Sequence, residues 1–295
     1  MKRRKTISLV LGSGGARGLT HIGVIKWLEE KGFKIRSIAG SSMGALIGGI
    51  YSTGKLETFT NWVLSLRKSD IFQLIDFSLG KSGIIKGQKV IEELKKLIGD
   101  HKIEDLSINF TAVATDIETG REVWINTGNL FDAIRASIAI PTIFTFHQID
   151  GIKLVDGGII NPVPIAPVLN DKNDLIIAVD LNANRSNGLV IENEESNSNE
   201  TWYRQKIVDF IESIPEGLGL KKEDESGLLD VLNKTMDIMQ NVITRLKLAA
   251  YNPDYVIEIP RNICTIYEFY KAKVLIDYGY KMADWELSSM LSDVN

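Results

Sequence analysis

Ser37-Ile38-Ala39-Gly40-Ser41-Ser42-Met43-Gly44-Ala45-Leu46-Ile47 decides the fold. It runs from a short β-rich segment, through two serines flanked by glycines, into an apolar segment of small residues. That is the pattern of a strand turning sharply into a helix. The stretch Gly40 to Gly44 reads G-x-S-x-G and centres on Ser42. A serine held on a strained strand-to-helix turn needs glycines beside it, because neighbouring backbone crowds the turn. The turn lifts the hydroxyl clear of the sheet and aims a helix N-terminus at it, which favours developing negative charge. The plainer alternative is a loop in which Ser41 or Ser42 merely caps the helix.

Working outward, β-rich and helical patterns alternate. Ile7–Leu11 reads as a buried strand, His21–Lys31 as a helix, Lys34–Ala39 as a strand and Met43–Tyr51 as a helix of small residues. Phe110–Ala114 and Leu175–Asp180 are further strands. This order predicts an α/β fold with a mainly parallel sheet and helices on its faces. Phe144–Ile149 and Ile152–Val155 flank Asp150-Gly151, a pair suited to the positive φ angles of a tight hairpin turn.

A second glycine-rich stretch, Gly12-Ser13-Gly14-Gly15-Ala16-Arg17-Gly18, also lies between a strand and a helix. A dinucleotide-binding oxidoreductase would use such glycines to cradle a pyrophosphate. It would also want an acidic residue about 20 positions on, at the end of the next strand, to hold the ribose. That place is taken by Gly40-Ser41-Ser42. The alternative, in which the Gly14 and Gly15 amides face an oxyanion beside Ser42, fits the residues better.

A nucleophilic serine needs a base. The chain has three histidines, His21, His101 and His147, and none lies in a glycine-flanked loop at a strand end. A carboxylate with an ordinary pKa near 4 is a weak base, but geometry and a dry site offset that weakness in the transition state. Asp156, in Leu154-Val155-Asp156-Gly157-Gly158, is the first candidate, Asp180 the second and Asp116 the third. Composition and spacing do not choose among them.

The remaining composition excludes other classes. Apolar residues make up 44% and charged residues 24% of the 295, which is ordinary for a folded domain. Lys and Arg number 34 against 38 Asp and Glu, a net charge of -4, so the basic surplus of a nucleic-acid binder is missing. Cys264 is the one cysteine and cannot form an internal disulfide. Met1-Lys-Arg-Arg-Lys5 before Thr6–Leu11 superficially suggests a secretory signal, but the apolar stretch is short and runs straight into Gly12–Gly18. The expectation is a cytoplasmic protein, with the basic Lys2–Lys5 run a candidate for peripheral contact at the inner membrane face.

Three regions are expected: a catalytic core over 1–183, a polar insertion over 184–227, and C-terminal helices with one strand over 228–295 that complete the same domain. Asn184–Thr201, rich in Asn, Ser and Glu, reads as a loop. Tyr203, Ile207, Phe210, Ile211 and Ile214 make one apolar helix face, a candidate lid or membrane contact. Leu228–Ala250 is a longer helical pattern with Leu232, Met236, Met239, Ile243 and Leu246 on one side. Pro253–Pro260 reads as a strand and Thr265–Leu291 as the last helices.

Gly12–Gly18, Gly40–Gly44 and Asp156-Gly157-Gly158, in that order, resemble the patatin-like phospholipase family. Ala112–Gly120, Arg135-Ala136-Ser137-Ile138-Ala139-Ile140-Pro141 and Asn161-Pro162-Val163-Pro164 resemble its bacterial members, so the likeness spans about Ile7 to Leu181. The resemblance implies a three-layer α/β/α sandwich and hydrolysis of phospholipid, lysophospholipid or simpler lipid esters, with no cofactor and no metal in the dyad. Carried onto this chain, it makes Ser42 the nucleophile, Asp156 its base, and Gly14, Gly15 and Arg17 the oxyanion-binding segment. Gly12, Gly18, Gly40, Gly44, Gly157 and Gly158 are the motif glycines. Ser13 departs from the family, which commonly has glycine there. A catalytically weak relative acting as a regulatory or scaffold module is the alternative, and the intact Ser42, Asp156 and glycines argue against it.

Overall fold

The computed structural model describes residues 5–74, 76, 85–141, 143–183 and 225–292. Strand β1 (Thr6–Leu11) shows how the sheet acquires two buried faces. Ile7, Leu9 and Leu11 join a large apolar cluster on one face, while Val10 joins a smaller cluster on the other. With β2 (Lys34–Ser41), β3 (Asn109–Asp116), β7 (Leu175–Ala183) and β8 (Tyr255–Pro260), it forms a parallel block in the order β3-β2-β1-β7-β8. In β7, Ile177, Val179 and Leu181 take the first face and Ala178 the second. Strands covered on both sides read as unbroken apolar runs. That is why Ile7–Leu11 and Leu175–Asp180 stand out in the sequence.

β4 (Glu122–Ile125), β5 (His147–Ile149) and β6 (Ile152–Asp156) add an antiparallel fringe. β5 and β6 turn at Asp150 and Gly151, with φ of 49° and 82°, the two positive angles expected of that pair. The fold is therefore an α/β sandwich around a mainly parallel eight-stranded sheet.

Helices α1 (Thr20–Glu30), α2 (Met43–Ser52), α3 (Leu56–Ser65), α5 (Gln88–Ile98) and α6 (Leu130–Ser137) supply the first face, with the short α4 (Lys68–Gln73) beyond α3. The C-terminal helix α8 (Ala272–Ser292) packs along α1 on the same side. On the second face, Leu248 and Tyr251 of α7 (Glu225–Tyr251) pack on Val10, Ala39 and Ala178, together with Val163, Ile165 and Val168.

Along helix α7 the side that carries Met236, Met239, Ile243 and Leu246 is unevenly covered: Met239 and Leu246 are 46% and 66% exposed, while Met236 and Ile243 are half-buried. Polar anchors mark the inner face. Asn241 Nδ2 donates to the Asn182 carbonyl at 3.0 Å, Lys247 pairs with Glu122 at 3.4 Å, and Thr244 between them is buried. Positions 241, 244, 248 and 251 follow helical spacing, so the inner face combines contacts to a strand carbonyl and to the half-buried Glu122 carboxylate with the apolar contacts of Leu248 and Tyr251. The Asn184–Thr201 loop, the Tyr203–Ile214 helix and Lys2–Arg4 lie outside the described residues. Among the described residues no helix is long and apolar enough to cross a membrane.

Candidate active site

The registers on β3 build the site. Ala112 and Val113 pair with both β2 and β4, while Ala114 and Thr115 pair with both β4 and β6. A strand has two edges, so β4 takes one of them, and β2 and β6 share the other, meeting end to end. The last β2 pair is Ser41 with Val113, and the last β6 pair is Asp156 with Ala114, on the next rung. Both chains have to leave the sheet at this junction. β2 leaves through Ser42, at φ 56° and ψ −123°, a backbone state that costs a non-glycine residue about 1–3 kcal/mol. β6 leaves through Gly157-Gly158.

Two abutting strand ends explain the glycines. A Cβ on Gly157 would sit 2.1 Å from the Val113 carbonyl oxygen and 2.8 Å from Ser41 Oγ. One on Gly44 would sit 2.0 Å from the Leu11 carbonyl oxygen, where α2 crosses the end of β1. Gly40 faces the Gly44 backbone, Gly12 the Val179 carbonyl, Gly18 the Met43 side chain and Gly158 the Ser13 side chain, each with no room for a Cβ.

Ser42 and Asp156 are brought into direct contact. Ser42 Oγ donates to Asp156 Oδ2 at 2.6 Å, and both residues are buried. The Gly158 amide donates to Asp156 Oδ1 at 2.7 Å, and Thr115 Oγ1 donates to the Asp156 carbonyl at 3.0 Å. Burial pushes the Asp156 carboxyl up to about 6, against the smaller pull of the Ser42 and Gly158 hydrogen bonds. A hydroxyl bonded in this way can pass its proton to the carboxylate with no intermediary.

The histidines lie elsewhere in the fold. His21 Nε2 meets the Gly12 carbonyl at 2.9 Å, and burial lowers the ring's pKa to about 4, so it is neutral and holds the glycine loop. His101 meets the Ile98 carbonyl, and His147 lies 3.4 Å from Asp132. Of the other candidate carboxylates, Asp180 accepts from the Asn182 amide at 2.9 Å, and Asp116 accepts from the Glu118 amide at 2.9 Å. Neither bonds Ser42.

The loop after β1 curls between Leu181 and Ile266. Gly15 has φ 55° and packs so closely on Ile266 that a Cβ would lie 2.7 Å from that residue's carbonyl oxygen. The amides on either side of Gly14-Gly15 are engaged, Ser13 with the Pro162 carbonyl at 2.8 Å and Ala16 with the Ile266 carbonyl at 3.0 Å. Those of Gly14 and Gly15 find no backbone acceptor among the described residues. Arg17 is buried with its guanidinium committed to protein oxygens. Nε donates to the Gly14 carbonyl at 3.1 Å, Nη1 to the Arg261 carbonyl at 2.8 Å and Nη2 to Asn182 Oδ1 at 3.2 Å. Fixing the Gly14 carbonyl fixes the plane of the Gly14–Gly15 peptide, and with it the direction of the Gly15 N–H. At the departure, the Ser13 hydroxyl lies buried against Gly158 with no hydrogen-bond partner among the described residues.

One contact escaped the chemical reading of the sequence. The Ser42 amide donates to Ser137 Oγ at 2.9 Å. Ser137 lies in the Arg135–Pro141 stretch that carries part of the family likeness, and that likeness is the signal that could have found it. Among the described residues no three His, Cys, Asp or Glu side chains gather in a way that could hold a metal ion.

A family model for patatin-like phospholipases matches residues 9–169, more than half of the chain. Uncharacterised NTE family proteins of Mycobacterium tuberculosis and Mycobacterium bovis are each 35% identical, over 97% of this chain and 92% of their own length. A lysophospholipase of Emericella nidulans is 31% identical over 60% of this chain, which corresponds to 12% of that much longer protein. The motifs, the sheet they fold into and these matches agree: the chain belongs to the patatin-like phospholipase family.

Proposed function

We propose that the chain hydrolyses carboxylic ester bonds of lysophospholipids or phospholipids, with Ser42 as nucleophile and Asp156 as general base. Hydrolysis of lipid esters is the activity of its family; the dyad and the substrate class are the further step. The observation that carries the dyad is the 2.6 Å hydrogen bond from Ser42 Oγ to a buried carboxylate, at a junction where two strands end face to face.

In the proposed reaction Ser42 Oγ attacks the ester carbonyl carbon while Asp156 Oδ2 takes the hydroxyl proton. The carbonyl oxygen gains the negative charge and points at the Gly14 and Gly15 amides, each well-placed donor contributing about 3 kcal/mol. Collapse expels the alcohol, which leaves with the proton from Asp156 and an ester on Ser42. Water then attacks this acyl-enzyme while Asp156 takes its proton, and collapse releases the fatty acid as Ser42 Oγ takes that proton back from Asp156. Arg17 contributes through the shape of the loop and not through contact with the substrate, because it is buried and each of its three guanidinium nitrogens already donates to a protein oxygen.

The lysophospholipid class is favoured by the lysophospholipase of Emericella nidulans, whose likeness covers 60% of this chain. A lipid substrate also implies peripheral contact with a lipid surface, and the basic N-terminal run supports a cytoplasmic protein that makes this contact at the inner face of a membrane. The decisive experiment is labelling with a fluorophosphonate ester reagent, followed by mapping of the modified peptide. Modification at Ser42, abolished in Ser42→Ala together with ester turnover, is expected. Labelling elsewhere, or full turnover by Ser42→Ala, would remove Ser42 from the mechanism.

A further inference from the structure

The meeting of β2 and β6 on one edge of β3 leaves backbone groups that the strand ladder cannot satisfy, and one short segment takes up three of them. The Ser42 N–H donates to Ser137 Oγ at 2.9 Å, and the same hydroxyl donates to the Val113 carbonyl at 2.6 Å. Two residues on, the Ala139 carbonyl accepts the Asp156 N–H at 3.0 Å. Ser137 and Ala139 are both fully buried. The segment is itself clamped from outside, since Arg135 Nη2 donates to the carbonyls of Lys86 and Thr145. At the other end of α6, Asn129 caps the helix by accepting from the Phe131 and Asp132 amides at 3.0 and 3.1 Å. One rigid element therefore grips the backbone of Ser42 and of Asp156 at once.

We propose that Ser137 is a positioning residue of the esterase site: through the end of α6 it ties Ser42 to β3 and, with Ala139 holding Asp156, sets the gap across which the proton passes. This rests on the reading of Ser42 and Asp156 as nucleophile and base. A hydroxyl is needed because the junction presents one donor and one acceptor, and only a group that accepts and donates serves both. An alanine there would leave a buried N–H and a buried C=O unmet. The Ser42 backbone, at φ 56°, would then be free to relax and swing the side chain away from Asp156. A second consequence is that the Ser42 amide is occupied, which leaves the oxyanion to the Gly14–Gly15 loop.

The test uses the full chain as wild type, Ser42→Ala and Ser137→Ala, with a nitrophenyl butyrate as substrate and melting temperature as the check on folding. Ser137 faces backbone alone, so its loss is expected to lower kcat and the rate of fluorophosphonate labelling together, on the order of ten- to a hundred-fold. KM should stay within about twofold, because binding of the acyl group is untouched. Wild-type kcat in Ser137→Ala, whatever its melting temperature, would overturn the proposal, and so would a raised KM with unchanged kcat. If Ser137→Ala does not fold, Ser137→Cys, which keeps the size with a weaker donor and acceptor, is read in the same way: a loss in kcat sustains the proposal and wild-type kcat overturns it. Ser42→Ala separates the two levels. If it keeps ester turnover, the dyad itself is wrong; if it is inactive while the Ser137 variant matches wild type, the positioning role alone fails.

Discussion

Asp156 in β6 and Asp180 in β7 are near-equals in everything but their partners. Both are 4% exposed, and burial pushes both carboxyls up to about 6. Around Asp180, the Asn182 amide and the Arg17 charge pull the pKa down while Glu258 pushes it up. Its Oδ1 accepts from the Asn182 amide of its own strand, and Arg17 acts on it through charge alone, its donors going to other oxygens. Asp156 differs in one contact, the hydroxyl of Ser42. A raised carboxyl therefore reports burial, and the proposed role in acyl transfer rests on what the carboxyl touches.

The sharpest way to break that distinction is to neutralise each carboxylate. Asp156→Asn keeps the shape but removes the proposed base, and ester turnover is expected to fall at least about a thousand-fold. Asp180→Asn should change kcat by less than about threefold, since Asp180 touches no reacting atom. Parallel assays on one soluble ester decide it, and comparable losses in the two variants would erase the contrast. The pH profile sharpens it further. The base must be ionised, so kcat/KM should be flat above pH 6 and fall about tenfold per unit below it. Asp180→Asn should retain that limb unchanged. A limb that moved with Asp180 would reassign the titrating group.

Stability supplies the next comparison, and here the two sites should behave alike in sign. A carboxyl whose folded pKa is about 6 against about 4 when unfolded holds its proton more tightly in the native state. Its contribution is therefore most favourable below pH 4, declines between pH 4 and 6, and is a full penalty above. Asp156→Asn should then be more stable than wild type at pH 8 by up to about 3 kcal/mol, the gain vanishing below pH 4. Asp180→Asn should gain less, because Arg17 loses a counter-charge. Denaturant titrations at pH 4 and 8 measure both.

What could be read from the sequence follows the range of the interactions. Gly40 to Gly44, Gly14-Gly15 and Asp156-Gly157-Gly158 are conspicuous because crowding at a chain crossing demands glycine locally, as the 2.0 Å approach at Gly44 illustrates. β1 and β7 are conspicuous because burial on both faces makes them mostly apolar, Ser8 apart, over Ile7–Leu11 and throughout Leu175–Val179. The choice among Asp156, Asp180 and Asp116 depends on β2 and β6 sharing an edge of β3, a pairing across more than a hundred residues that no local pattern encodes. Ser137 is hidden for the same reason, since its hydroxyl matters only once two strand ends face each other. The inner face of α7 is not legible locally, because Asn241 and Lys247 on it reach Asn182 and Glu122, which lie far along the chain. Arg17 sits in a glycine motif, but the direction of its side chain is set by Arg261 and Asn182, which lie far along the chain.

The smallest effect belongs to the third carboxylate, and it tests whether contact with Ser42 is the whole of the difference. Asp116 ends β3, on the same strand that organises the junction, but its side chain turns toward solvent. Oδ1 accepts from the Glu118 amide at 2.9 Å and Oδ2 from Thr119 Oγ1 at 2.6 Å, which closes the turn into β4 that Gly120 completes at φ 68°. These hydrogen bonds, that from Thr119 foremost, lower its pKa, the opposite of the two buried groups. Its contribution to stability is accordingly present at neutral pH and lost as pH falls through the lowered value. Asp116→Ala should change kcat by less than about twofold, as expected away from the site, and lower the melting temperature slightly at pH 7 with the difference shrinking in acid. A marked loss of turnover in Asp116→Ala would mean that the β3–β4 turn transmits strain to the Val113–Ala114 rungs, so that the pair's geometry is set by the length of β3 as well as by the junction.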